Sequence, residues 1–314
     1  MKLKEIVAYI NLLDSLSIHA ETQETVRLLD SVLHVVGNHS IQLESYSKNL
    51  EQNLSSITAG VDEFSNTLAQ LKQRLQHLVV QYEPQYFIES KRVFDHEMPF
   101  ESNDYILNRR LSIDQDSNIL LRSHLRNLSD WRIPGMIIRP ATASFIEDLV
   151  PMDPLYLVDQ HQDLIKPSVL KFTPEYQRRL REYVITDRTE QPIMAALPQG
   201  QFGLVFAYNY FNYKPIEIIR RYLDEIYTLL RPGGVLIMTY NNCDREQGVG
   251  LAERNFMCYT PERYIRQHAE SVGFEPSFSY NGAGDLSWLE FTRPGEIASL
   301  RGGQTLARIL ARSK

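Results

Sequence analysis

A chain of 314 residues is long enough for one large or two ordinary domains with a well-buried core. Hydrophobic residues at 43% and charged residues at 23% are ordinary for a soluble globular protein, and a formal net charge of -6 without any Lys/Arg-rich block argues against nucleic acid as a partner. Two cysteines, Cys243 and Cys258, exclude a disulfide framework, and no His/Cys cluster has metal-ligand spacing, so no metal is expected. The polar, acidic N-terminus lacks a signal-peptide core and no apolar run is long enough to span a bilayer, so a cytoplasmic location away from membranes is expected.

Residues 1–84 read as a helical bundle or coiled-coil region. The first 82 residues contain no proline and only Gly37 and Gly60 as glycines. Leu3, Ile6, Ile10 and Leu13 share a face of one helix, and Val26, Leu29, Leu33 and Val36 share a face of a second that stops at Gly37-Asn38. A third helix starts near Ser40 and carries Leu50, Leu54, Ile57, Val61, Phe64, Leu68, Leu71, Leu75 and Leu78 at alternating spacings of 4 and 3. That is a heptad seam, and so narrow a stripe needs a partner helix. The preceding helices of the same chain would serve, and so would other copies of the chain; self-association through Leu50–Leu78 is the expected partnership. Pro84 is expected to end this region. Residues 85–130 read as a connector with a helix over Ser117–Leu128.

From Trp131 short apolar runs alternate with helical stretches. Met136–Ile138, Leu155–Val158, Tyr183–Ile185, Leu204–Phe206 and Val235–Met238 predict buried strands, with a helix over Pro215–Leu230 among the connections. After Thr260-Pro261 a helix runs to about Ser271, and strands over Pro276–Tyr280 and Leu286–Phe291 predict an antiparallel pair at one edge. Residues 294–314 predict a basic terminal helix or tail carrying Arg308, Arg312 and Lys314. The two cysteines read as small buried packing residues, since neither has the neighbours a nucleophile needs.

Several phrases carry a family resemblance. Leu229-Leu230-Arg231-Pro232-Gly233-Gly234-Val235-Leu236-Ile237 resembles the helix–turn–strand signature before the fifth strand of class I S-adenosylmethionine-dependent methyltransferases, where Pro-Gly-Gly stops a helix and starts a central strand. Leu197–Phe206 resembles the fourth strand of that family, with Gly203 replacing its usual acid, and Tyr259-Thr260-Pro261-Glu262 with Gly273-Phe274-Glu275 resembles its ending. The resemblance covers residues 131–293. It implies an α/β fold: a Rossmann-like, doubly wound, seven-stranded and mainly parallel sheet behind the N-terminal helices.

The resemblance also implies S-adenosylmethionine as cofactor, bound beyond the carboxyl ends of the strands. Asp159, 20 residues after Arg139, stands where an acid accepts ribose hydroxyls, and Asp187 where a polar residue reads the adenine amino group. Ala207 ends the fourth strand in the same crevice. In the family the first strand leads to an acid and a glycine-rich loop; here Ile137 replaces the acid, and Arg139, Ala141 and Ala143 replace glycines. Glycine there permits positive φ and close backbone approach. Arg139 either pairs with the cofactor carboxylate or fills the site, leaving a retired enzyme used as a scaffold. The acceptor would face Tyr208–Tyr213 and Asn241–Asp244, with Tyr208, Asn209 and Asp244 as candidate catalytic residues, although turn and packing roles compete for each. The acceptor itself is not legible. The two functions left open are methyl transfer from S-adenosylmethionine and an inactive module that assembles through its helices.

Overall fold

A computed structural model describes residues 42–96, 113–140, 144–282 and 286–295. The two predicted helices before residue 41, the loop residues Ala141 and Ala143, and the basic tail beyond residue 295 lie outside the described residues. The chain divides into two compact units, Met1–Pro84 and Gln85–Lys314. No helix among the described residues is long and apolar enough to cross a membrane.

The heptad helix, α1, spans Gln42–His96. Its seam residues Leu50, Ile57, Val61, Phe64 and Leu71 are exposed, whereas Leu68 and Leu75 are buried. The first compact unit ends at Pro84, but α1 itself continues through that residue. A mid-helix proline costs about 3 kcal/mol, for the lost N–H and the clash one turn back. Packing of residues 85–96 offsets that cost. Val93 and Phe94 are buried, Ser90 Oγ accepts the Tyr259 N–H at 2.8 Å, and the Phe87 ring meets the edges of Tyr259 and Tyr264. The next helix, α2 (Gln115–Leu128), is capped by Asp114 through the Ser117 N–H and buries Leu121, Leu125 and Leu128.

The rest of the second unit is a layered α/β domain. In chain order it contains β1 (Gly135–Ile138), β2 (Leu155–Asp159), α3 (Gln162–Val169), α4 (Pro174–Gln177), β3 (Leu180–Val184) and β4 (Phe202–Ala207). Then come α5 (Ile216–Leu229), β5 (Leu230–Tyr240), α6 (Glu246–Glu253), α7 (Glu262–Val272), β6 (Glu275–Asn281) and β7 (Ser287–Thr292). One 7-stranded sheet has the order β3-β2-β1-β4-β5-β7-β6. The first five strands run parallel, and β7 lies antiparallel to both β5 and β6. This is the doubly wound, Rossmann-like sheet that the sequence implied.

Burial explains the apolar runs. β1, β2, β4 and β7 are buried along their whole length, as expected for strands covered on both faces. At the Pro-Gly-Gly turn Gly233 has φ 73, and a Cβ on Gly234 would lie 2.7 Å from the Phe202 carbonyl oxygen. β5 begins at Leu230, earlier than the apolar run suggests, and contains the Pro-Gly-Gly segment. Helix α7 ends as its sequence predicts, with Gly273 in the left-handed conformation. Strand order reverses between β1 and β4, which sets a crevice beyond their carboxyl ends.

Candidate functional site

That crevice gathers residues from four strand ends. Arg139 follows β1, and its N–H still bonds the Val158 carbonyl at 2.8 Å. Its φ is 62, a conformation that costs a side-chain-bearing residue about 1–2 kcal/mol and a glycine little. The side chain is nonetheless fully buried. Its Nε lies 3.8 Å from Asp159 Oδ2, and its guanidinium lies 4.8 Å from the centre of the Tyr210 ring.

Asp159 closes β2 and is fully buried. Its Oδ1 accepts the N–H groups of Gln160 and His161 at 2.7 and 3.2 Å. Among the described residues Oδ2 accepts no hydrogen bond. Burial raises its pKa, against the opposing pull of Arg139 and the two N–H groups.

Asp187 lies beyond β3 in the same buried cluster. Lys214 Nζ contacts its Oδ2 at 2.9 Å, the Tyr222 hydroxyl donates to Oδ2 at 3.3 Å, and the Gln160 amide donates to Oδ1. Burial works to raise this carboxyl, but Lys214 first, then Arg188 and Gln160, hold it below the ordinary carboxylate range. Lys214 is buried as well. It donates to Gln160 Oε1 at 3.0 Å and lies 4.8 Å from the Tyr210 ring centre and 5.0 Å from that of Phe94. The Tyr210 and Tyr222 hydroxyls are 2.5 Å apart, and burial pushes both far up.

The structure thus brings Arg139, Asp159 and Asp187 into one buried network, and adds Lys214, Gln160, Tyr210 and Tyr222. Ala207 ends β4 nearby, paired with Ile138 and Met238. Ala141 lies outside the described residues. Sequence reasoning missed Lys214, Gln160 and Tyr222. The position of Lys214, directly after the aromatic run Tyr208–Tyr213, was the one available signal.

The residues predicted to face an acceptor have other engagements. The Tyr208 ring packs on Phe145 at 4.8 Å and is buried. Asn209 takes φ 51, and its N–H donates to Thr239 Oγ1 at 2.7 Å, which ties the loop to β5. Asn241 Nδ2 donates to the carbonyls of Gly248 and Cys258, each at 2.9 Å. Asp244 Oδ2 accepts the Glu262 N–H at 2.9 Å at the start of α7, and Oδ1 pairs with Arg263. Burial pushes the Asp244 carboxyl up to about 6, although N–H groups of Glu262 and Arg263 oppose it. Cys243 and Cys258 are buried and are not joined in a disulfide.

Strand order, the reversed β7 and a crevice flanked by acids after β2 and β3 are now established. The fold is that of the class I methyltransferases. Solved structures similar to this chain include the N-methyltransferase NodS from Bradyrhizobium japonicum, at 15% identity, covering 58% of this chain and 99% of that one, with TM-score 0.44. Another is geranyl diphosphate C-methyltransferase from Streptomyces coelicolor, at 7% identity, covering 66% and 98%, with TM-score 0.46. Neither a protein-family model nor a curated protein matches the sequence. At these identities and scores the likeness carries nothing about chemistry.

Proposed function

We propose that this chain uses a methyltransferase fold as a closed structural module that assembles through its long helix, and does not transfer a methyl group from S-adenosylmethionine. One observation carries the reading. The two carboxylates that would hold a cofactor are buried and already engaged by cations of this chain, Asp159 by Arg139 and Asp187 by Lys214. A ribose and an adenine would have to displace both. Losing either cation from a buried pair leaves an uncompensated carboxylate, at a cost of about 3–5 kcal/mol. S-adenosylmethionine does not fit the crevice in this arrangement.

Calorimetric titration with S-adenosylhomocysteine tests this. The expected result is no binding heat up to millimolar ligand with the protein folded. Saturable micromolar binding, worth about -8 kcal/mol, would instead restore the enzyme reading. That second reading has one observation in its favour: Asp159 Oδ2, at a strand end, accepts no hydrogen bond among the described residues and would suit a ribose hydroxyl.

The assembly half rests on α1. Leu50, Ile57, Val61, Phe64 and Leu71 present an apolar stripe to solvent at heptad positions, where a second copy of the helix would bury it. Sedimentation of the full chain should show an oligomer in the micromolar range. Replacing Ile57 and Phe64 together by aspartate should give a folded monomer, because both are exposed in the isolated chain. A wild-type chain that sediments as a monomer would remove this half of the proposal.

A further inference from the structure

The sheet ends at β6, and among the described residues no strand lies beyond it. Register and hydrogen bonding fix which groups of β6 face outward. The Gly282 N–H bonds the Leu286 carbonyl at 2.9 Å. Tyr280 and Phe278, two and four residues earlier and opposite Trp288 and Glu290, therefore also exchange their bonds with β7. The alternate residues Ser279 and Asn281 turn N–H and C=O to the open edge. Edges of this kind are usually protected by charged side chains or by proline. Ser277–Asn281 carries no charge, and the one proline of β6, Pro276, precedes it.

One face of this edge is apolar as well. Phe278 is exposed and Tyr280 half-buried. Both rings lie against buried Trp288, at 6.2 and 4.0 Å between centres. Helix α2 crosses the same face, held by the Ser117 and Tyr280 hydroxyls, 2.7 Å apart, and by the His124–Glu290 pair. The His124 ring lies 6.1 Å from that of Phe278. Leu120, one turn before His124 on α2, is exposed, so apolar surface extends from this flank of the helix to the sheet edge.

We propose that this edge pairs antiparallel with β6 of a second copy of the chain, through a surface separate from the α1 stripe. The strand is its own complement. A two-fold axis at Ser279 sets that residue opposite itself, with the outward N–H and C=O groups matched. Phe278 then stands opposite Tyr280 of the second copy, twice over, in the closer of the two antiparallel pair geometries, where aromatic pairs stabilise a sheet. Ser277 meets Asn281, and no like charges are opposed. The axis stands perpendicular to the sheet, so both α2 helices fall on one face and Leu120 of each flanks the aromatic pairs. A seam of five residues falls below the roughly 1,200 Å² of stable, specific interfaces, so pairing through it alone is weak, with a Kd of about 0.1–1 mM. Two different two-fold contacts on one chain, α1 and β6, build assemblies larger than a dimer.

The test uses the full chain carrying Ile57→Asp/Phe64→Asp, which removes the α1 contact and leaves β6 intact. Sedimentation equilibrium should show a monomer at about 10 µM and a mass rising toward the dimer at about 1 mM. Over the same range, hydrogen exchange of the Ser279 and Asn281 amides should slow about threefold. Adding Phe278→Lys, which puts a protective charge at an exposed position, should keep the chain monomeric at every concentration without lowering its unfolding temperature. Ser279→Pro, which removes an outward N–H, is a second variant with the same expected result. A monomer up to 1 mM overturns the proposal, as does a dimer that survives both variants. Slow exchange already present in the monomer would mean that the edge is covered from within the chain, and overturns it too.

Discussion

Replacing Lys214 by methionine should destabilise the second compact unit by about 3–5 kcal/mol, measured by urea unfolding. Methionine fills most of the volume of the lysine stem, so lost packing is a small part of this. The cost lies with Asp187, which stays buried but loses the ammonium 2.9 Å from its Oδ2. Gln160 and Tyr222 still donate to it, and Arg188 stays 4.0 Å away, so the effect belongs at the lower end of that range. The double variant Lys214→Met/Asp187→Asn should recover most of the loss, since it removes the charge along with its partner. The pH dependence has a definite sign. Asp187 is held below its ordinary pKa, so its contribution is present above the unfolded carboxylate value of about 3.9 and is lost as pH falls through the lower folded value. The gap between wild type and Lys214→Met should therefore narrow in acid. A single variant that costs under about 1 kcal/mol would mean that this pair does not hold the crevice together.

What the sequence made legible followed from periodicity and from fixed turn chemistry. Apolar runs located β1, β2, β4 and the later part of β5 because those strands are buried on both faces. β3 was read as Tyr183–Ile185 but spans Leu180–Val184. It is an edge strand with mostly exposed side chains, so alternation, the usual strand signal, is nearly absent. The passage of α1 through Pro84 was hidden for another reason: proline reports a local cost, and the compensation comes from residues 85–96 packing on elements distant in sequence. The site divides in the same way. Asp159 and Asp187 were legible because acids at strand ends have a fixed place in this kind of sheet. Lys214 was not, because a single lysine has no period. Its burial is set by walls contributed by Phe94, from α1, and by Tyr210.

Gly203 illustrates how a departure from the family pattern can have a packing cause, and its replacement by aspartate should cost about 4 kcal/mol or more. The resemblance sets an acid at this position, so an aspartate would look like a restoration. The structure forbids it. Gly203 sits in β4 where the register against β5 shifts between Phe202 and Leu204. A Cβ there would lie 2.2 Å from Ile133 Cγ2 and 3.2 Å from Ile133 Cβ. Ile133 is itself buried in the main core, and its Cγ2 hangs directly from the branched Cβ, so it has little freedom to withdraw. Aspartate would add to this clash a buried carboxylate with no evident partner. Alanine carries the steric part alone and should cost about 1–3 kcal/mol. Ile133→Ala should cost about 2–5 kcal/mol through the cavity that it leaves. If the isoleucine methyl is what excludes a side chain at 203, the double variant Gly203→Ala/Ile133→Ala should cost less than the sum of its parts by about 1 kcal/mol or more, because the new methyl enters the vacated space. Costs that add to within about 0.5 kcal/mol would show that the glycine answers to the bulged backbone itself and not to Ile133.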